Sequence, residues 1–134
     1  MEYFEGKTVL LTGALGFIGS NLAKELLKHN ARVIGVDNLL TGRAQNLSEL
    51  LDEQLQSRHP NFEYIAADVT RPVLEYLPEN THIDLILHFA SPASPPRYQK
   101  YPVETYLVNS IATHYLCEYL KEHNPQGRMV FAGT

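Results

Sequence analysis

Short apolar runs recur along this chain, and most are followed by a polar or glycine cluster and then by apolar residues at helical spacing. Thr8–Thr12 (Thr-Val-Leu-Leu-Thr) lies between Gly6 and Gly13 without polar alternation, which predicts a strand buried on both faces. Phe17, Ile18, Leu22, Leu26 and Leu27 predict a helix over 17–29, stopped at His29-Asn30. Arg32–Val36 reads as a second buried strand ending at Asp37, and Thr41-Gly42 marks a loop. Leu47, Leu50, Leu51 and Leu55 predict a second helix over 44–56. A third strand is expected at 62–66, closed by Asp68, and Pro72 and Pro78 limit 71–79 to a short helix. Residues 83–89 form a fourth apolar run, and the three prolines within 91–96 predict a loop. Val103, Tyr106, Leu107, Ile111, Tyr115, Leu116 and Tyr119 predict one long helix over 103–123, stopped by Asn124-Pro125-Gln126-Gly127. A fifth strand is expected at 128–132.

Strands alternating with helices predict right-handed βαβ units, hence an α/β fold with a doubly wound parallel sheet of Rossmann type. The expected strand order is 3-2-1-4-5, with ligands at the carboxyl ends of the strands near the switch between the first and fourth. Gly13, Asp37, Asp68, Ser91 and Thr134 all follow strands and so gather at that edge. The length of 134 residues corresponds to one domain, 1–134, able to bury roughly two thirds of its extended surface.

Composition narrows the function classes. With 11 basic and 15 acidic residues the formal charge is -4, so no basic excess points to nucleic acid or an anionic membrane. One cysteine, Cys117, precludes an internal disulfide, and its mid-helix place predicts a buried small hydrophobe. Six histidines, at 29, 59, 82, 88, 114 and 123, lack metal-binding spacing, so no metal is expected. His88 ends the fourth strand and is expected to be buried and hydrogen-bonded. No apolar run reaches a membrane-spanning length, and the acidic N-terminus does not resemble a signal peptide, so a cytoplasmic setting is expected.

Thr12-Gly13-Ala14-Leu15-Gly16-Phe17-Ile18-Gly19 joins the first strand to the first helix, with glycines three apart. Gly13 permits the tight turn, Gly16 lets backbone approach a pyrophosphate, and Gly19 lets the helix pack close to the sheet. The free amides at the helix start then hold phosphate. Asp37 lies eighteen residues after Gly19, where a carboxylate accepts hydrogen bonds from an adenosine ribose and repels a 2′-phosphate. Asp68 admits two readings, an acceptor for the adenine amino group with Val69 against the ring, or a cap for the segment at 71. Arg43 likewise reads either as a phosphate contact or as a solvated side chain.

These residues, with Asp37-Asn38, Asp68-Val69 and His88-Phe89-Ala90-Ser91, resemble the extended short-chain dehydrogenase/reductases acting on nucleotide sugars, the NAD-dependent epimerase/dehydratase family. Asp37-Asn38-Leu39-Leu40-Thr41-Gly42-Arg43 and Ser91-Pro92-Ala93-Ser94-Pro95-Pro96-Arg97-Tyr98 resemble its UDP-glucuronate decarboxylase branch. The resemblance implies NAD as cofactor, with contacts at Gly13, Gly16, Phe17, Ile18, Gly19, Asp37, Asn38, Thr41, Gly42, Asp68, Val69, Phe89, Ala90 and Ser91. It implies that the 91–98 loop lies between nicotinamide and sugar, and that Thr134 is a catalytic residue at the sugar 4-hydroxyl. Oxidation at C4, loss of carbon dioxide from UDP-glucuronate and re-reduction to UDP-xylose would follow, in an intact homodimeric enzyme. The chain departs from the family pattern at Gly133, where Ser is common, and at Leu107-Val108, where polar residues are usual.

The resemblance also implies a Tyr-x-x-x-Lys pair on a helix after the fifth strand, and this sequence has no such pair at that place. The chain is therefore expected to be the cofactor-binding part of a longer protein and inactive alone. Without the family's partner helix, Leu107, Ile111 and Leu116 are expected to be exposed, and the fifth strand to form an open edge. Alternatives are another epimerase or 4,6-dehydratase, a stand-alone NAD-binding module without chemistry, or an unrelated mononucleotide-binding domain.

Overall fold

The computed structural model of the chain describes residues 2–133. Five parallel strands form one sheet in the order β3-β2-β1-β4-β5: β1 (Thr8–Thr12), β2 (Arg32–Asp37), β3 (Phe62–Ala66), β4 (Leu85–His88) and β5 (Arg128–Phe131). Four helices accompany it: α1 (Phe17–Lys28), α2 (Pro95–Lys100), α3 (Pro102–Asn109) and α4 (Ile111–His123). The expected strand order is the observed one. Thr12 pairs with Val36 on one side and His88 on the other, so the three central strands end level.

The unbroken apolar runs are explained by cover on both faces. Val9, Leu11, Val33, Leu85 and Leu87 pack with Ala23, Leu26 and Leu27 of α1. Their neighbours Leu10, Ile34, Val36 and Ile86 pack with Ala112, Leu116, Tyr119 and Leu120 of α4. Successive strand residues point to opposite faces, so one apolar strand feeds two cores. At the opposite edge from the switch point, Asp84 ties the sheet together: its Oδ2 accepts the Thr8 amide at 2.9 Å. Burial pushes the Asp84 pKa up, but the Thr8 amide together with His82 and Lys7 outweighs it and holds the carboxyl below its ordinary value.

Helix α1 stops where expected. Asn30 adopts a left-handed conformation (φ 60°), and the Asn30 and Ala31 amides donate to the Leu27 and Leu26 carbonyls, both at 3.1 Å. Phe17 and Ile18, read as part of the apolar helix face, are instead 81% and 58% exposed. They sit in the first turn of α1, where no described residue covers them.

Three helical expectations are corrected. The 44–56 segment is a single 3-10 turn, Ala44–Leu47, followed by irregular chain. Its leucines at 47, 50 and 51 are buried as a helix would bury them, but Asp52 Oδ1 accepts the Gln54 and Gln56 amides and Leu55 is left-handed (φ 60°). That side-chain turn competes with a helical ladder. Between its prolines, the 71–79 segment keeps only the 3-10 turn Val73–Glu75. The long helix is two helices broken at Ser110 (φ -118°, ψ -77°). Side chains back-bond around the break: Ser110 Oγ donates to the Tyr106 carbonyl and Asn109 Nδ2 to that of Thr105. The expected 91–96 loop yields to α2 from Pro95, since proline is well suited to a first helical turn.

Side-chain placement on α3 and α4 also differs from expectation. Leu116 is fully buried, Leu107 and Ile111 are half-buried, and Tyr106 is exposed while Tyr119 is buried. Cys117 is exposed rather than buried, its Sγ 3.4 Å from Sδ of Met129 on the edge strand β5. β5 is an edge strand with Val130 and Phe131 exposed.

Candidate functional site

A cleft opens at the carboxyl ends of β1, β2 and β4, where the topology reverses. Gly13 makes the turn out of β1 with φ 73°, and its amide donates to the Val36 carbonyl at 2.8 Å. A Cβ on Gly13 would lie 2.7 Å from the Phe89 backbone, so β4 can approach only a glycine. A Cβ on Gly19 would lie 2.0 Å from the Gly13 carbonyl oxygen. On Gly16 the nearest atom would be 3.3 Å away, so that glycine faces the open side of the turn. Gly16 is the N-cap of α1 and has no side-chain capping bond. The first amides of α1 therefore lack a helical or capping acceptor and point, with the positive end of the dipole, at the cleft.

Opposite these amides stands Asp37, only 8% exposed. Its Oδ2 accepts the Leu15 amide at 2.9 Å and its Oδ1 accepts the Leu39 amide at 2.8 Å. The carboxylate thus couples the glycine turn to the loop after β2, and its remaining lone pairs stay available. Leu39 is held left-handed (φ 63°) in that loop. Asp68 Oδ1 accepts from both the amide and the hydroxyl of Thr70, a local turn rather than a helix cap, and the residue lines the cleft beside buried Val69.

All fourteen cofactor candidates fall on this cleft or its continuation. Asp37, Asn38, Thr41, Gly42, Asp68, Val69, Phe89, Ala90 and Ser91 line one end, of about 770 Å³ with its mouth. Phe17, Ile18 and Gly19 line a larger adjoining space of about 1880 Å³, and Gly13 and Gly16 border both. Thr134 lies outside the described residues. Phe131, Ala132 and Gly133 before it line the larger space.

Sequence reasoning missed Leu40, Thr70 and Glu104 at the first end. Glu104 carries no motif, and only the packing of α3 beside the sheet brings it there. Arg43 and Arg97 border the larger space, with Tyr98 beside them, so the acids gather at one end and the cations at the other. Among the described residues no three metal-binding side chains converge. No helix among them is long and apolar enough to cross a membrane.

His88 is buried beneath the cleft as expected. Its Nδ1 lies 2.6 Å from Thr12 Oγ1 and its Nε2 2.8 Å from the Val108 carbonyl. Burial lowers its pKa, against the pull of the Val108 carbonyl.

The model of the family described as NAD dependent epimerase/dehydratase matches residues 9–134. UDP-glucuronic acid decarboxylase 1 of Danio rerio is 40% identical over 107 residues, covering 80% of this chain and 23% of that protein. This chain spans about a quarter of the length of the curated relatives it matches. Among solved structures, the Bordetella bronchiseptica enzyme WbmH in complex with NAD+ superposes with a TM-score of 0.71 at 26% identity, covering 95% of this chain and 39% of that one. The dTDP-glucose 4,6-dehydratase of Bacillus anthracis in complex with NAD gives 0.69 at 26% identity, covering 92% and 36%.

Proposed function

The chain belongs to the NAD dependent epimerase/dehydratase family, and we propose that these 134 residues form the NAD-binding domain of a nucleotide-sugar-modifying enzyme, specifically a UDP-glucuronate decarboxylase. The observation that carries the reading is the pairing, in one cleft, of the uncapped α1 N-terminus with the buried Asp37 carboxylate. One end attracts a diphosphate and the other accepts hydrogen bonds from a ribose diol, the two features a dinucleotide site combines. The choice of decarboxylation rests on relatives at about 40% identity that bear that name.

In this reading the Phe17, Ile18 and Gly19 amides hold the pyrophosphate, Gly16 leaves room for it and Gly13 makes the turn beneath. Asp37 accepts the adenosine ribose hydroxyls, flanked by Asn38, Thr41 and Gly42, and its charge disfavours a 2′-phosphate. Asp68 accepts from the adenine amino group beside Val69, and Phe89, Ala90 and Ser91 border the nicotinamide end. When bound, NAD supplies reversible hydride acceptance. The protein's share is to orient it and exclude water. The larger space beside Arg97 and Tyr98 receives the nucleotide sugar. Among the described residues no tyrosine–lysine pair for proton transfer lines either space.

Calorimetric titration of the chain with NAD, NADP and FMN tests the assignment. NAD is expected to bind and NADP more weakly. Preference for FMN or absence of NAD binding would refute it. The chain alone should release no carbon dioxide from UDP-glucuronate, whereas the protein containing the tyrosine–lysine pair should. Release of a dehydrated or epimerised sugar instead would replace the decarboxylase assignment.

A further inference from the structure

His88 lies outside the proposed NAD contacts, yet it touches three walls of their cleft. Its Nε2 faces the Val108 carbonyl at 2.8 Å, and a carbonyl can only accept. Nε2 therefore carries the proton. In a neutral ring Nδ1 is then a bare acceptor, so the Thr12 hydroxyl must donate to it across 2.6 Å. The two lone pairs left on Thr12 Oγ1 accept the Phe89 amide at 3.1 Å and the Ala90 amide at 3.2 Å. Every donor and acceptor of the Thr12 hydroxyl is thus filled. The Val108 carbonyl is available because the break at Ser110 takes it out of the helical ladder. The same residues shape the cleft: Phe89, Ala90 and Val108 line it, and Thr12 immediately precedes Gly13.

We propose that His88, neutral and protonated on Nε2, is a positioning residue that fixes the distance from the glycine turn and the β4 exit to α3, and thereby holds the cofactor cleft open at its working width. The proposal rests on the NAD-binding reading for its consequence but not for its geometry. Protonating Nδ1 would aim three donors at the two lone pairs of Thr12 Oγ1; the Phe89 amide also donates to the Thr12 carbonyl at 3.2 Å, whereas the Ala90 amide has Thr12 Oγ1 as its acceptor, so either the Ala90 amide is crowded out or the ring turns away from Thr12. The groups facing the ring are Thr12 from β1, Val108 from α3 and the Phe131 ring from β5 at 5.6 Å, none ionisable. Among the described residues no charged side chain shifts its titration, so burial and the Val108 carbonyl set it. Burial favours the neutral ring, so the clamp holds at neutral pH and is lost as pH falls through the ring's titration.

The test is NMR on the chain labelled with nitrogen-15. The ring is expected as the Nε2–H tautomer, and an Nδ1–H tautomer would overturn the proposal. As pH is lowered from about 8 until the ring protonates, the Ala90 amide should lose exchange protection or the ring should lose its contact with Thr12, and NAD affinity should fall at the pH where the ring titrates. A ring that protonates with the Ala90 amide still protected and its contact with Thr12 unchanged would overturn it. His88→Phe leaves the Thr12 hydroxyl without its acceptor, so it should lower the protection of the Ala90 amide and weaken NAD about tenfold. His88→Gln, which keeps a donor and an acceptor, should restore part of that affinity and remove its pH dependence. If His88→Phe fails to fold, the tautomer and amide measurements on the unaltered chain still decide. If the unaltered chain binds no NAD, the NAD-binding reading fails while these two measurements continue to judge the clamp.

Discussion

Gly16 and Gly19 sit three residues apart in one motif, yet the structure gives them different jobs, and alanine at each should separate them. A Cβ on Gly19 would meet the Gly13 carbonyl oxygen at 2.0 Å, the Gly13 carbonyl carbon at 2.9 Å and Ala14 Cα at 3.1 Å. All three are backbone atoms of the β1 turn, which β4 holds from behind. Relief requires α1 to retreat about 1.4 Å, the gap between 2.0 Å and the 3.4 Å at which ordinary contact begins. Overpacking against rigid backbone costs about 3 kcal/mol, and the better helix propensity of alanine returns about 1. The net loss of about 2 kcal/mol lowers the Tm of a domain this size by about 6–10 °C. The Phe17–Gly19 amides move with the helix, so NAD affinity should fall about tenfold or more in whatever fraction remains folded. Gly16 has φ -72° and ψ 171°, open to any residue, and only one atom within 4 Å of its Cβ position, at 3.3 Å. Gly16→Ala should leave Tm within about 2 °C, since its conformational terms are a few tenths of a kcal/mol. Gly16→Val should abolish NAD binding, because its methyls enter the space the diphosphate needs. Thermal melts followed by calorimetric NAD titration measure both quantities. Unchanged Tm and affinity for Gly19→Ala would refute the packing role, and a Tm loss in Gly16→Ala matching that of Gly19→Ala would refute the division between them.

Three further perturbations test other parts of the structure. Asp37→Asn places an NH2 group opposite either the Leu15 or the Leu39 amide, so it should cost about 1–3 kcal/mol, weaken NAD and reduce discrimination against NADP; unaltered selectivity in paired titrations would count against Asp37 as the ribose acceptor. Asp84 has its pKa held below the ordinary value, so it contributes stability above that ordinary value and loses it as pH falls through the lowered one. Asp84→Asn should therefore flatten the acid side of the urea midpoint against pH, and an unchanged slope would show that Asp84 carries no linkage. The Tyr76 hydroxyl is buried with no hydrogen-bond partner, and burial, with lesser contributions from Asp68 and Tyr119, raises its pKa. Tyr76→Phe removes an unsatisfied group and should raise stability by up to about 1 kcal/mol by urea denaturation, whereas a loss would reveal a bound water at the hydroxyl.

The sheet was legible because its signal is local. Four of the five strands kept their expected first and last residues or differed by one: β1, β2, β3 and β5. Unbroken apolar runs such as Val9-Leu10-Leu11 have few uses other than a strand covered on both faces. The helices were less legible, since leucine spacing reports which side is buried and not whether the backbone is helical. Leu47, Leu50 and Leu51 are buried without a helix because Asp52 turns the chain, and α3 and α4 separate because Ser110 and Asn109 bond back to carbonyls. For the candidate site, residues in a glycine motif or at a strand end could be named in advance. Glu104 and Thr70 could not, because nothing in their own neighbourhood marks them.

By itself, the sequence determined the order of elements, the strand order that right-handed crossovers then require, and which residues gather at the carboxyl edge of the sheet. These depend on side-chain hydrophobicity, backbone sterics and chain direction, which are written residue by residue. Only the tertiary structure decided that the Asp37 carboxylate is gripped by the Leu15 and Leu39 amides, that Gly19 touches the Gly13 carbonyl while Gly16 faces open space, and that His88 spans from Thr12 to Val108. Those facts depend on distances of a few tenths of an ångström between segments far apart in the chain, and packing of the whole domain sets them.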